Sequence, residues 1–207
     1  AEFMLHSIEN ISKEQRANLL NAILKSGIRL KRTLDNLIMY QNLIRENEIL
    51  QKEFNPSKFL ITKDKIQKSL CPIENKYEKS VDLKISIEES SVLFVNSFFT
   101  KMIEELADNA FKFSGKQGTV QIEGSSVDES NYILIISNEG QGLSQEQIQN
   151  IGAFIQFDRK MNEQQGSGLG LFIVKKMASL GGAEFEIQSE KNSFFKVILK
   201  FKKQPDY

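Results

Sequence analysis

From Ile11 to about Asn47 the chain runs without a proline, and apolar residues return at Leu19, Ile23, Leu30, Leu34, Leu37 and Ile44. That spacing predicts a helix with a one-sided apolar stripe. Ser12 followed by Gln15 makes a capping box at its start, and Gly27 inside the stripe weakens it modestly. Such a helix extends roughly 50 Å at about 1.5 Å per residue, longer than a compact domain of this size needs. It must either lie along its own domain or project and pair. Steps of four, seven and seven from Leu19 to Ile23, Leu30 and Leu37 favour a bundle or coiled-coil helix that dimerises.

The chain has 207 residues, 40% of them hydrophobic, which allows one ordinary domain with a core plus an extra element. Its 27 basic and 27 acidic residues cancel, so the electrostatic footprint of a general nucleic-acid binder is missing. A single cysteine, Cys71, rules out an internal disulfide framework and reads as a half-buried apolar residue before Pro72. No apolar run approaches a membrane span and no signal peptide is visible, which suits a cytoplasmic stretch without membrane contact; an anchor elsewhere in a longer protein is compatible with this. Ala1-Glu2-Phe3 before Met4 reads as a cloning remnant, and the chain as an excised fragment.

Beyond the helix, a short strand is expected near Ile49–Phe54, and Asn55-Pro56 breaks the pattern. Ser57 is then placed to cap a helix from Lys58 toward Ser69. Val81–Ile87 and Val92–Val95 read as strands, and Ser97–Phe113 returns to helical spacing. Gly118–Glu123 and Asn131–Ser137 are β, the latter a central strand by its continuous apolarity. A short helix opens at Ser144, a polar segment fills Gly152–Gln165, and a helix from Ser167 to Leu180 stops at Gly181-Gly182. Ala183–Ser189 and Phe194–Phe201 close the chain as a hairpin. The sum is an α+β two-layer sandwich with a mixed sheet, helices on one face, and a long N-terminal helix.

Four stretches carry candidate chemistry. Glu105, Asn109 and Lys112 stand at i, i+4 and i+7, so a carboxylate, an amide and an ammonium share one helix face; a solvated face with local pairing gives the same pattern. An amide oxygen can ligate Mg²⁺, which takes hard oxygen donors and keeps waters and phosphates in its shell. Asn138-Glu139-Gly140-Gln141-Gly142 puts a polar side chain and two glycines at a strand end, where backbone can approach a flat ligand. Phe154 and Phe157, beside Asp158 and Arg159, can clip a lid to the domain. Finally, Gly166-Ser167-Gly168-Leu169-Gly170-Leu171 opens a helix, as a backbone cradle for phosphate would or as a tight loop would. It fits no simple fingerprint: a dinucleotide motif needs glycine where Leu171 stands, and the Gly115-Lys116 pair lacks the serine and first glycine of a P-loop.

In this order the four stretches closely resemble the catalytic ATP-binding domain of sensor histidine kinases, within the superfamily that also holds gyrase B, Hsp90 and MutL. The match covers roughly residues 49–203 and implies a Bergerat-type ATP-binding fold at 48–207. Residues 1–47 resemble the second helix of the family's dimerisation and phosphotransfer hairpin. The resemblance implies that Asn109 ligates Mg²⁺, that Lys112 faces the phosphates of ATP, and that Glu105 stands where ATP-hydrolysing relatives keep a general base. It puts Asn138 at the adenine-reading aspartate, with Gly140 and Gly142 beside the base. Gly166, Gly168, Leu169, Gly170 and Leu171 become the phosphate-side loop and lid hinge, and Arg159 a lid residue within reach of the phosphates. Ser193, in Asn192-Ser193-Phe194-Phe195, takes the place of the threonine in the family's Gly-Thr-x-Phe and would support adenine through its hydroxyl.

Two departures from the pattern stand out. Asn138 gives the adenine amino group a neutral acceptor in place of a charged one, a loss of about 1–2 kcal/mol or roughly tenfold in affinity. The only histidine, His6, precedes the long helix and reads as an ordinary loop residue, so the phosphoacceptor is expected outside this chain. The resemblance thus implies a protein-histidine kinase region that dimerises through its N-terminal helix, serves a response-regulator receiver domain, and binds no nucleic acid. A degenerate kinase, dimerising and signalling with little or no nucleotide, is the alternative that Asn138 favours. A stand-alone ATPase of the gyrase type fits the long helix and the short lid less well.

Overall fold

The computed structural model describes residues 12–44, 55–74, 76–77, 81–115, 118–153 and 168–204. Helix α1, Lys13–Ile44, opens with the expected capping box: Ser12 N donates to Gln15 Oε1 (3.0 Å) and Gln15 N to Ser12 Oγ (3.1 Å). Its faces divide the work. Asn36 and Leu43 are buried on the domain, and Tyr40 packs its ring 5.3 Å from that of Phe172, while Leu30, Leu34 and Ile38 remain 62%, 50% and 56% exposed. The inner face therefore joins the domain core and leaves the outer apolar stripe uncovered within the chain.

The expected helix from Lys58 is corrected. Ser57–Ile61 is strand β1, and helix α2 starts only at Lys63, with Thr62 Oγ1 accepting from Lys65 N (3.2 Å). Lys-Phe-Leu-Ile carries bulky side chains that pack on a pleated surface, and β1 has an antiparallel partner, β3 (Ser90–Phe94). Cys71 is also corrected from half-buried to exposed. Helix α2 runs through Pro72 to Glu74 and buries Ile66, Leu70 and Ile73, which leaves Cys71 on the other face. The strand expected at Ile49–Phe54 lies outside the described residues.

The main sheet contains β2 (Asp82–Ile87), β4 (Thr119–Ser126), β5 (Asn131–Glu139), β6 (Ala183–Glu190) and β7 (Phe194–Lys202), in spatial order β2-β4-β5-β7-β6. Only β2 and β4 run parallel, so the sheet is mixed and β5 is central, as its sequence predicts. Helices α3 (Asn96–Phe113) and α5 (Gly170–Gly181) cover one face. Between them and the sheet lie Phe99, Met102, Ile103 and Leu106 from α3, Ile173 and Met177 from α5, and Tyr132, Leu134 and Leu199 from the strands. Short helix α4, Gln145–Gln149, is closed by the capping box of Ser144 and Gln147. Helix α5 begins at Gly170, just after Gly168 at φ 70°, and Gly182 caps its end; Ser167, where the helix is expected to open, lies outside the described residues. This is the α+β two-layer sandwich that the periodicity predicts. Among the described residues, no helix is long and apolar enough to cross a membrane.

Candidate functional site

Strand β5 alternates, sending Tyr132, Leu134, Ile136 and Asn138 to the helix-covered face. Asn138 continues that series with a polar side chain and is only 3% exposed. Its Nδ2 donates to the Glu139 carbonyl (3.3 Å), but its Oδ1 finds no donor among the described residues. A buried acceptor left unpaired costs about 1–3 kcal/mol. A ligand amino group such as that of adenine is the type of donor this atom lacks.

The chain after Asn138 is pinned against two other elements. Gln141 N donates to the Phe113 carbonyl at the end of α3 (3.2 Å), Gly115 N to the Glu139 carbonyl (3.2 Å), and Gly140 N to the Ser193 carbonyl (3.0 Å). Gly142, at φ 55°, lies so close to the β6–β7 turn that a Cβ there would stand 2.0 Å from the Glu190 carbonyl oxygen. No side chain fits that approach. Ser193 is exposed in the turn and reaches the site through its carbonyl. Ser189, which the sequence reading did not single out, is the hydroxyl tied into this corner: its Oγ accepts from Leu143 N (2.7 Å) and donates to the Phe194 carbonyl (2.6 Å).

Further back along α3, one to two turns before its end, Glu105 and Asn109 meet the start of α5. A Cβ on Gly170 would lie 2.7 Å from Glu105 Oε2 and 3.6 Å from Asn109 Nδ2, so the glycine allows the N-terminus of α5 to close on that helix face. Leu169 is fully buried and Leu171 half-buried, which anchors the turn. Backbone N–H groups and the positive end of the dipole at such a helix start favour an anion. Lys112, half-buried with its ammonium 4.8 Å from the Phe113 ring centroid, completes the face; burial lowers its pKa, and Asp108 partly offsets this. Arg159, Gly166 and the Phe154–Phe157 stretch lie outside the described residues.

Glu105 is not a free carboxylate. Arg32 Nη2 donates to its Oε2 (2.9 Å), while Lys101 Nζ (2.7 Å) and Asn36 Nδ2 (3.3 Å) donate to its Oε1. One turn on, Asp108 accepts from Arg32 Nη1 (2.5 Å), Lys76 Nζ (2.5 Å) and Tyr77 Oη (3.0 Å). Burial works to raise both carboxyl pKa values, but the cations outweigh it and hold both below the ordinary range. Burial and the neighbouring Asp108 push the Tyr77 phenol up. Sequence reading missed Arg32, Asn36, Lys101 and Asp108. For Arg32 and Asn36 the legible signal is their spacing with Tyr40 and Leu43 along one face of α1.

Comparison with known proteins agrees with this geometry. Residues 95–205 match the family described as histidine kinase-, DNA gyrase B- and HSP90-like ATPase. The sensor protein KdpD of Clostridium acetobutylicum is 27% identical over 190 residues, covering 90% of this chain and 20% of that protein. The sensor histidine kinase YvrG of Bacillus subtilis is 26% identical over 136 residues, covering 63% and 23%. This chain thus spans about a fifth of the length of these relatives. Among solved structures, the Acinetobacter baumannii histidine kinase AdeS superposes with a TM-score of 0.70 at 17% identity, covering 99% of this chain and 91% of that one. Full-length ShkA in complex with AMPPNP gives 0.72 at 18%, covering 97% and 42%; both show the shared fold. With the family model spanning more than half of its residues, the chain belongs to the histidine kinase-, DNA gyrase B- and HSP90-like ATPase family and carries that family's ATP-binding domain in the form found in sensor histidine kinases.

Proposed function

We propose that this chain binds Mg-ATP between α3, the end of β5 and the start of α5, and presents the γ-phosphoryl group to a histidine outside residues 1–207. The observation that carries the reading is the Oδ1 of Asn138, without a donor among the described residues and buried at a strand end beside two tightly approached glycines. Adenine would donate its amino group to that oxygen and lie against Gly140 and Gly142, with Ser193 supporting that wall through its carbonyl on Gly140 N. The phosphates would meet the N-terminus of α5 through Gly168, Leu169, Gly170 and Leu171, with Lys112, Gly166 and Arg159 nearby. Asn109 would supply the protein oxygen to Mg²⁺, whose remaining ligands would be phosphates and water. Phosphoryl transfer asks the protein for positioning and charge neutralisation, which these groups can provide.

In the same reading, residues 1–47 are part of a dimerisation and phosphotransfer hairpin and 48–207 the catalytic domain. The exposed stripe of Leu30, Leu34 and Ile38 would pair two copies, a response-regulator receiver domain would take the phosphoryl group onward, and the region would work in the cytoplasm. Glu105 would serve as base only where its ion pairs release it. The second reading, a signalling module with weak nucleotide binding, is favoured by the neutral amide at position 138. Calorimetric titration with ATP, with and without Mg²⁺, separates the two: Mg²⁺-dependent binding is expected, and no heat with no thermal stabilisation at millimolar nucleotide would overturn the kinase reading.

A further inference from the structure

Two carboxylates of α3, only 3% and 5% exposed, are held by one guanidinium from a helix far away in sequence. Arg32 forks them, one nitrogen on each, from α1. Asn36, one turn on, adds a second tie: its Nδ2 donates to Glu105 and its Oδ1 accepts from Lys101 Nζ (2.8 Å). Glu105 thereby accepts from three donors, Lys101 and Asn36 on Oε1 and Arg32 on Oε2, and the same carboxylate lies against the first residue of α5. A carboxylate bonded in this way is a poor proton acceptor. A buried charge deprived of its partner is costly, so Glu105 and the docking of α1 cannot change independently.

We propose that Arg32 is a positioning residue that makes the docking of α1 and the availability of Glu105 a single switch: with α1 seated, Glu105 is withheld from chemistry, and lifting α1 releases it. The proposal rests on the reading of Glu105 as a phosphate-side group. The charged and titratable groups around it are Arg32 from α1, Lys101, Glu104 and Asp108 from α3, and Lys76 and Tyr77 from the segment after α2. Arg32 is the one of these that bridges both acids from α1. Lys76 would keep Asp108 paired after α1 departs and Lys101 would keep Oε1 of Glu105, so Oε2, held by Arg32, is the oxygen that lifting α1 sets free.

The test uses the full chain without nucleotide. Hydrogen exchange is followed along α1 and β5, and the carboxyl carbon of Glu105 is titrated by NMR in wild type, Arg32→Gln and Arg32→Lys. In Arg32→Gln, amides from Asn36 to Leu43 should exchange roughly tenfold faster or more while β5 stays protected, and the Glu105 midpoint should rise. Arg32→Lys, which keeps charge and loses the fork, should fall between the two. Unchanged exchange in α1, or an unmoved Glu105 midpoint, would overturn the proposal. Should Arg32→Gln lose β5 protection as well, Arg32→Lys decides by the same two readouts. Because no nucleotide enters, failure here leaves ATP binding standing, and a failed ATP titration leaves the docking measurement standing.

Discussion

Arg32 and Glu105 lie 73 residues apart in the chain and 2.9 Å apart in space, joined by an ion pair whose acid is almost wholly buried. That pair places α1 against the helix that carries Asn109, so the proposed nucleotide face and the long helix share one set of charges. Arg32 itself is about one-third exposed, and its second nitrogen holds Asp108.

Asn138 should respond to substitution in two opposite ways. Asn138→Asp gives adenine a charged acceptor and should tighten ATP binding roughly tenfold by calorimetry. Asn138→Leu removes the unpaired oxygen and should raise the thermal midpoint of the nucleotide-free chain while abolishing binding. A weaker Asn138→Asp variant would refute the adenine assignment.

For Asn109, Asn109→Ala should remove the Mg²⁺ dependence of nucleotide affinity and leave metal-free binding within about twofold. Titrations in magnesium and in EDTA measure the difference. A full magnesium effect in the variant would assign the metal to other ligands.

Gly142→Ala forces a side chain to φ 55° and within 2.0 Å of a carbonyl oxygen that the β6–β7 turn holds in place. A destabilisation of about 2–4 kcal/mol is expected in urea unfolding. Gly27→Ala, where nothing lies within 4 Å of the new carbon, is the control and should stabilise α1 slightly.

The two acids on α3 also set a pH dependence. Their ordinary values are 4.5 for Glu105 and 3.8 for Asp108, and both are lowered in the folded chain. Depressed carboxylates contribute fully above their unfolded values and lose that contribution as pH falls through the folded ones. Stability should therefore be level down to about pH 5 and decline below it. Asp108→Asn should be less stable at neutral pH by about 1–3 kcal/mol and should lose less on acidification. Thermal scans from pH 7 to pH 3 compare the two.

Self-association should run through the outer face of α1. Sedimentation at several concentrations should show a reversible dimer, and Leu30→Glu with Leu34→Glu should abolish it with little change in thermal midpoint, since both side chains are exposed within the chain. A strictly monomeric wild type would contradict pairing.

Local regularities made most of the fold legible. Continuous apolarity marked β5 and its place at the centre, the 3.6-residue period marked α1, α3 and α5, and Ser12 and Ser144 announced helix starts that their hydrogen bonds bear out. These are short-range effects, carried by neighbours along the chain. Where local and tertiary preferences competed, tertiary pairing won: Ser57 looks like a cap, yet Ser57–Ile61 takes a strand because Ser90–Phe94 stands ready to pair with it. The candidate residues at positions 105, 109, 112, 138, 140 and 142 were legible by type and spacing.

Sequence alone determined most of the element types, the α+β class, and the kinds of groups that stand at the proposed nucleotide face. Only tertiary structure decided that Asn138 is buried with an oxygen that finds no donor among the described residues, that Ser189 ties the glycine corner, and that Glu105 and Asp108 are held by Arg32. The physical reason is distance along the chain: a bond between residues 73 or 76 positions apart leaves no periodic trace, because nothing local constrains either partner until the helices have packed.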